Sequence, residues 1–256
     1  MLKKAGSILL LLSLGAVLSA DRAAGQTPTA SKAEAILDAY VEKCGGRAAF
    51  EKIVTRRTTS TASMSMLPAP MDVTTVTARN GRFHSVIKSA SIGTIEYGSD
   101  GRIVWETNPL TGPQVKKGAD GHRFRLLYDL NTLPRWRETF KKVEYLGEAT
   151  LDGKPAFQVA AAVQDDYVVT LSFDQASALL LMMESPVETA TGRSVEETRY
   201  GDYRHVDGIV FPFRQVRKGL GPEMTLTFKT VEYNADIPDS EFSLPEVIAR
   251  IAGGGK

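Results

Sequence analysis

Between residues 55 and 233, apolar side chains recur at every second position, and two-residue turns cut the runs. This alternation constrains the fold more than any other feature, because a period of two gives each strand one face of each kind. Asn80-Gly81 is the strongest turn signal, and between consecutive strand runs Asp-Gly recurs three times, in SDGR (99–102), LDGK (151–154) and VDGI (206–209). Such dipeptides supply the positive φ that tight hairpins need. The runs read as strands at 55–66, 71–79, 82–89, 93–98, 102–107, 142–149, 155–163, 166–173, 178–185, 195–203, 209–217 and 223–233. That spacing predicts an antiparallel meander instead of βαβ units. A sheet of about 11 or 12 strands has to curl.

Two segments break the period. Ser31-x-x-Glu34 is a capping box, and Ala33, Ile36, Leu37, Tyr40, Val41 and Cys44 form one helical stripe ended by Gly45-Gly46. A short helix from Arg47 to Ile53 is expected next. Residues 118–141 carry Phe124, Leu127, Tyr128 and Asn131 at helical spacing, and Pro134 suits the start of a second short helix. This is a helical insertion between two β runs. The stretch ALLLMM (178–183) is apolar on both faces, so one face meets core and the other a helix or a cavity. Pro212 lacks a ladder donor, which predicts an edge or bulged strand there.

Charge is nearly balanced, with 31 Lys and Arg against 30 Asp and Glu, and no basic run points to nucleic acid. The single cysteine, Cys44, excludes an internal disulfide. Residues 1–26 look like a secretory signal: Lys3 and Lys4, an apolar run from Ile8 to Val17, then small residues. The expectation is a soluble monomer in a Gram-negative periplasm, beginning near Asp21 or Gln26, with residues 27–256 as one domain.

Catalytic chemistry has little to work with. His84, His122 and His205 have no metal-ligand spacing, and no HExxH, GxSxG or P-loop occurs. Ser85-x-x-Lys88 lies on a strand, where positions i and i+3 point apart. Glu196-Glu197 and Asp165-Asp166 are adjacent acids that point apart for the same reason. A non-catalytic protein without cofactor or metal is therefore expected. Methionines recur in or beside the strands (Met64, Met66, Met71, Met182, Met183, Met224), and their thioethers adapt to irregular apolar partners. The expected cavity wall comprises Trp105, Tyr167, Val169, Phe173, Phe211, Phe213 and Met224, with 118–141 and the N-terminal helix as cover.

The stretches TARNGRF (77–83) and EYGSDGRIVWETNPL (96–110), with the ending IPDSEFSLPEVI (237–248), resemble the periplasmic outer-membrane lipoprotein-sorting (Lol-type) carriers. The resemblance implies an unclosed antiparallel β-barrel over short plug and lid helices, with an acyl chain in its concave interior. It implies an acylated lipoprotein or lipid as partner, and a membrane-bound protein as donor or acceptor. Arg79 matches the family's arginine that holds the lid shut. Two departures weaken the carrier activity more than the fold: 142–217 is longer than in the small carriers, and Asn-Gly follows the arginine where they have Pro-Asn. Two other readings compete: an envelope sensor or scaffold of the same fold that binds a protein, and an unrecognised hydrolase.

Overall fold

The computed structural model describes residues 31–130, 132–189, 192–219 and 221–254. The expected signal segment and Asn131 lie outside the described residues. Helix α1 (Lys32–Lys43) starts at the expected capping box: Glu34 N–H donates to Ser31 Oγ at 3.3 Å, and Ser31 N–H donates to Glu34 Oε2 at 2.7 Å. Its stripe buries Ala33, Ile36, Leu37 and Val41. Gly45, at φ 130°, ends it where a Cβ would stand 2.6 Å from the Gly208 carbonyl oxygen, so only glycine fits. Helix α2 (Arg47–Glu51) follows.

The first strand series is β1 (Thr55–Met64), β2 (Met71–Ala78), β3 (Arg82–Ser89), β4 (Gly93–Asp100), β5 (Val104–Thr107) and β6 (Gln114–Lys116). Helices α3 (Gly118–Tyr128) and α4 (Trp136–Thr139) form the insertion. The second series is β7 (Lys142–Leu151), β8 (Lys154–Gln164), β9 (Tyr167–Asp174), β10 (Leu180–Thr189), β11 (Gly192–Val206), β12 (Ile209–Lys218) and β13 (Met224–Tyr233). All 13 lie in one antiparallel sheet, ordered β6-β5-β4-β3-β2-β1-β13-β12-β11-β10-β9-β8-β7. The sheet is not closed, because β6 and β7 are both edges. They are also the strands that α3 and α4 connect, so the insertion links the two free edges of the sheet.

The strand count exceeds expectation because β6 has three residues, too few to display alternation. Three turns behave as the sequence predicts. Asn80 and Gly81 (φ 65° and 69°), Asp152 and Gly153 (50° and 79°), and Asp207 and Gly208 (49° and 82°) all sit at positive φ. Asp100-Gly101 differs: the Asp100 carboxylate accepts from the N–H groups of Arg102 and Ile103, each at 2.8 Å, and makes a wider turn. Pro212 needs a correction. Its strand β12 is interior, between β11 and β13. Pairing with β13 covers only Arg214–Arg217, so at Pro212 that side of the strand has no ladder to interrupt.

The largest core lies where α1 packs on β8, β9 and β10, around Leu37, Val159, Tyr167, Leu171 and Phe173. Helix α4 joins α1 there: Asp38 accepts from Arg137 at 2.7 and 2.8 Å and from Trp136 Nε1 at 3.1 Å. These donors hold the Asp38 carboxyl below its ordinary range. A lowered folded value stabilises above the unfolded value, about 3.9, and that contribution fades as pH falls through the folded one. Both partners are about 40% exposed, so the contribution is at most about 1 kcal/mol. Asp38→Asn is expected to lose a small increment of stability at pH 7 and none in strong acid, read as the difference in melting temperature between the two conditions.

The C-terminal segment, a 3-10 turn at Asp239–Phe242 and helix α5 (Glu246–Gly253), was not expected as helix. Phe242 packs on Val76 and Ala78, and Arg82 bonds Asp239 at 2.8 Å. No helix among the described residues is long and apolar enough to cross a membrane.

A candidate ligand cavity beneath the helical insertion

Strand register decides which side chains face the insertion. Thr77, Phe83, Ser99 and Val104 form one cross-strand row, and Val76, His84, Gly98 and Trp105 form the next. Neighbouring rows point to opposite faces. The first row meets α3: Phe83 stacks on Tyr128 with ring centroids 4.7 Å apart, and Val104 joins Phe83 and Phe124. The second row meets the C-terminal segment. His84 lies between Glu96 (2.9 Å) and Glu241 (3.4 Å), and the Trp105 ring is 5.6 Å from it. Trp105, only 2% exposed, is therefore buried on the face away from the insertion.

A cavity of about 170 Å³ lies between the sheet and the insertion. The sheet contributes Leu171, Leu180, Met183, Tyr200, Phe211, Leu226 and Phe228; the insertion and its following turn contribute Leu126, Leu130, Leu133 and Phe140. The parting of β12 and β13 beyond Arg214 helps make this space. Phe211 and Phe228 meet there edge to face, with centroids 5.0 Å apart. A second hollow of about 240 Å³ adjoins it, sharing Thr75, Tyr128, Arg217 and Leu226, with Met64, Ile87 and Met224 in its wall.

Of the residues expected in the cavity wall, Phe211 lines the cavity and Met224 lines the adjoining hollow. Tyr167, Val169 and Phe173 are instead packed in the α1 core. Phe213 is buried but does not line the cavity; Arg204 lies over its ring at 4.5 Å. Sequence reasoning missed Tyr200, Arg56 and Arg217, because polar residues in a strand read as its solvent side. Burial raises the Tyr200 and Tyr233 hydroxyls to about 12 each, so both stay protonated at neutral pH.

The insertion is tied to both halves of the sheet. Arg125 donates to the carbonyls of Gly101 (3.2 Å) and Arg102 (2.6 Å), at the β4–β5 turn. Arg123 pairs with Glu196 of β11 at 3.2 Å, with side chains 11% and 9% exposed. Arg79, expected as the lid brace, holds a different element. Its Nε donates to the Ile53 carbonyl at 3.1 Å, and Nη2 donates to the Glu51 carbonyl, which pins the end of α2. Arg79→Leu is expected to cost about 1 kcal/mol and to speed amide exchange in residues 47–53, with exchange in 118–128 unchanged.

Among the described residues, the cavity wall is mainly apolar, with a few hydroxyl and guanidinium donors. Ser85 is buried and Lys88 exposed, in keeping with their strand geometry. Among the described residues, no three His, Cys, Asp or Glu are grouped to hold a metal.

No protein-family model and no curated protein sequence matches the chain. Solved structures do. A LolA superfamily protein from Nitrosomonas europaea has a TM-score of 0.56 at 15% identity, over 84% of this chain and 99% of its own. A DUF1329 family protein from Desulfovibrio piger has a TM-score of 0.55 at 12% identity, over 82% and 97%. An outer membrane lipoprotein-sorting protein domain from Vibrio parahaemolyticus has a TM-score of 0.53 at 12% identity, over the same shares. Identities this low carry the fold alone, and at that level the chain resembles the LolA superfamily and the lipoprotein-sorting domains.

Proposed function

We propose that this is a non-catalytic periplasmic binding protein that takes up an acyl chain of a lipid or lipoprotein, as a carrier or chaperone in envelope lipoprotein sorting. The observation that carries the reading is the apolar cavity roofed by an insertion linking the two free edges of the sheet. The fold similarity to a lipoprotein-sorting domain supports it.

The cavity's size bears on the mechanism. At about 170 Å³ it is close to the ~150 Å³ that encloses one benzene, so roughly six carbons fit without rearrangement. A longer chain requires the insertion to move. Each buried methylene contributes about 0.8 kcal/mol, and that gain has to offset the Arg123–Glu196 pair, the Arg125 hydrogen bonds and the apolar contacts that Phe124 and Tyr128 make with the sheet. Affinity is therefore expected to grow with chain length. The test is titration of a fluorescent acyl probe into the purified protein, with competing fatty acids of increasing length. Saturable binding that tightens with chain length is expected; no saturable binding removes the reading.

A further inference from the structure

We propose that Arg217 is a headgroup site: it receives the carboxylate or phosphate of an anionic acyl amphiphile whose chain enters the cavity beneath the insertion. This inference rests on the acyl-binding reading above and adds the chemical class of the ligand.

Arg217 lies on the wall shared by the cavity and the adjoining hollow. It forms no salt bridge among the described residues, and its Nε is buried without a hydrogen-bond partner. The nearby carboxylate, Glu196, already accepts from Arg123 Nη1 through both its oxygens, and Arg123 Nε lies 3.8 Å from the Asp120 carboxylate. Glu196 thus spends its direct contacts on Arg123, and Arg217 has no carboxylate within ion-pair distance among the described residues. A buried donor left without a partner is costly, and an anion beside it would supply the acceptor. The other arginine of the cavity differs. Arg56 lies over the Phe211 ring at 5.5 Å, and none of its side-chain nitrogens is among the buried, unpartnered ones.

The surroundings fit an amphiphile better than a free ion. The Tyr128 hydroxyl lies beside Arg217, and Tyr200, protonated at neutral pH, faces the same cavity as a donor. Leu226 lines both spaces next to these groups, and the wall beyond it is apolar. A headgroup on Arg217 would therefore place its first methylenes against Leu226. Guanidinium offers paired donors that suit a carboxylate or phosphate equally.

The test is calorimetric titration of four ligands sharing one chain: dodecanoate, dodecyl phosphate, dodecanol and dodecylamine. Wild type is expected to bind the two anions about tenfold or more tightly than the alcohol or the amine, as charge-assisted hydrogen bonds require. The ratio between the two anions then separates a fatty-acid source from a phosphate one. Arg217→Met is expected to bring the anions to the level of dodecanol while dodecanol itself is unaffected. Equal affinity for dodecanol and dodecanoate in wild type would overturn the headgroup site and leave the cavity reading intact. So would an anion preference that persists in folded Arg217→Met. Binding of none of the four would defeat the acyl reading itself. Should Arg217→Met not fold, the wild-type ligand series and Arg217→Gln decide the matter.

Discussion

Gly98→Ala is expected to lower the melting temperature by roughly 6–10 °C, through an overpacking cost of about 3 kcal/mol. Gly98 and Trp105 face each other across β4 and β5. A Cβ on Gly98 would lie 2.3 Å from Trp105 Cζ2 and 2.4 Å from Cε2, well inside contact distance. The indole cannot swing clear, because it is 2% exposed and packed by His84. The backbone of Gly98 is not at positive φ, so the cost comes from space and not from strain. The same geometry predicts rescue: Trp105→Val removes the clashing ring, and the double variant should be more stable than the sum of the single changes implies. A coupling of about 1–3 kcal/mol in that cycle is expected for residues in contact. Thermal melts of the four proteins check it. Acyl-probe affinity should be unchanged in folded Trp105→Val, since the indole lies on the face away from the cavity.

The largest effect on binding is expected from Leu226→Trp. Leu226 is half-buried and lines both the cavity and the adjoining hollow, so it stands at the passage between them. An indole there would occupy space that a chain must use. Two or more displaced methylenes remove about 1.6 kcal/mol or more, at about 0.8 kcal/mol each, which is at least about tenfold in affinity. Stability should change little, because the ring fills existing space and the position is not in the α1 core. Probe titration of the variant beside its melting curve separates the two effects. Strong destabilisation with unchanged affinity would mean that the chain runs elsewhere.

Much of the architecture was legible because alternation and turn chemistry act locally. Asn80-Gly81, Asp152-Gly153 and Asp207-Gly208 set three hairpins, and Ser31 with Glu34 set the start of α1. The insertion was legible as a break in period. Its role as cover was expected, but not that it links the two edge strands, which depends on β6 and β7 ending the sheet. The cavity wall was read least well. Alternation assigns Tyr167, Val169 and Phe173 to one face, but it cannot say whether a helix or empty space covers that face. Here α1 covers it. Trp105 was expected in the cavity wall, whereas its face follows from the register that aligns it with Gly98 and His84. Arg217 was invisible for a related reason: a charged residue in a strand looks solvated until an insertion some 90 residues earlier in the chain folds over it. Pro212 pointed to an edge or bulged strand, whereas the ladder beside it ends locally, which only the register of β12 and β13 reveals.

The most direct measurement is native mass spectrometry of the protein isolated from cells without detergent, on wild type and Leu226→Trp side by side. The expected result for wild type is a population carrying one added mass of an acyl lipid, which exchanges for an added fatty acid. In Leu226→Trp that population should be strongly depleted. Bare wild-type protein that also fails to take up added fatty acid would contradict the assignment of the cavity as an acyl-chain site.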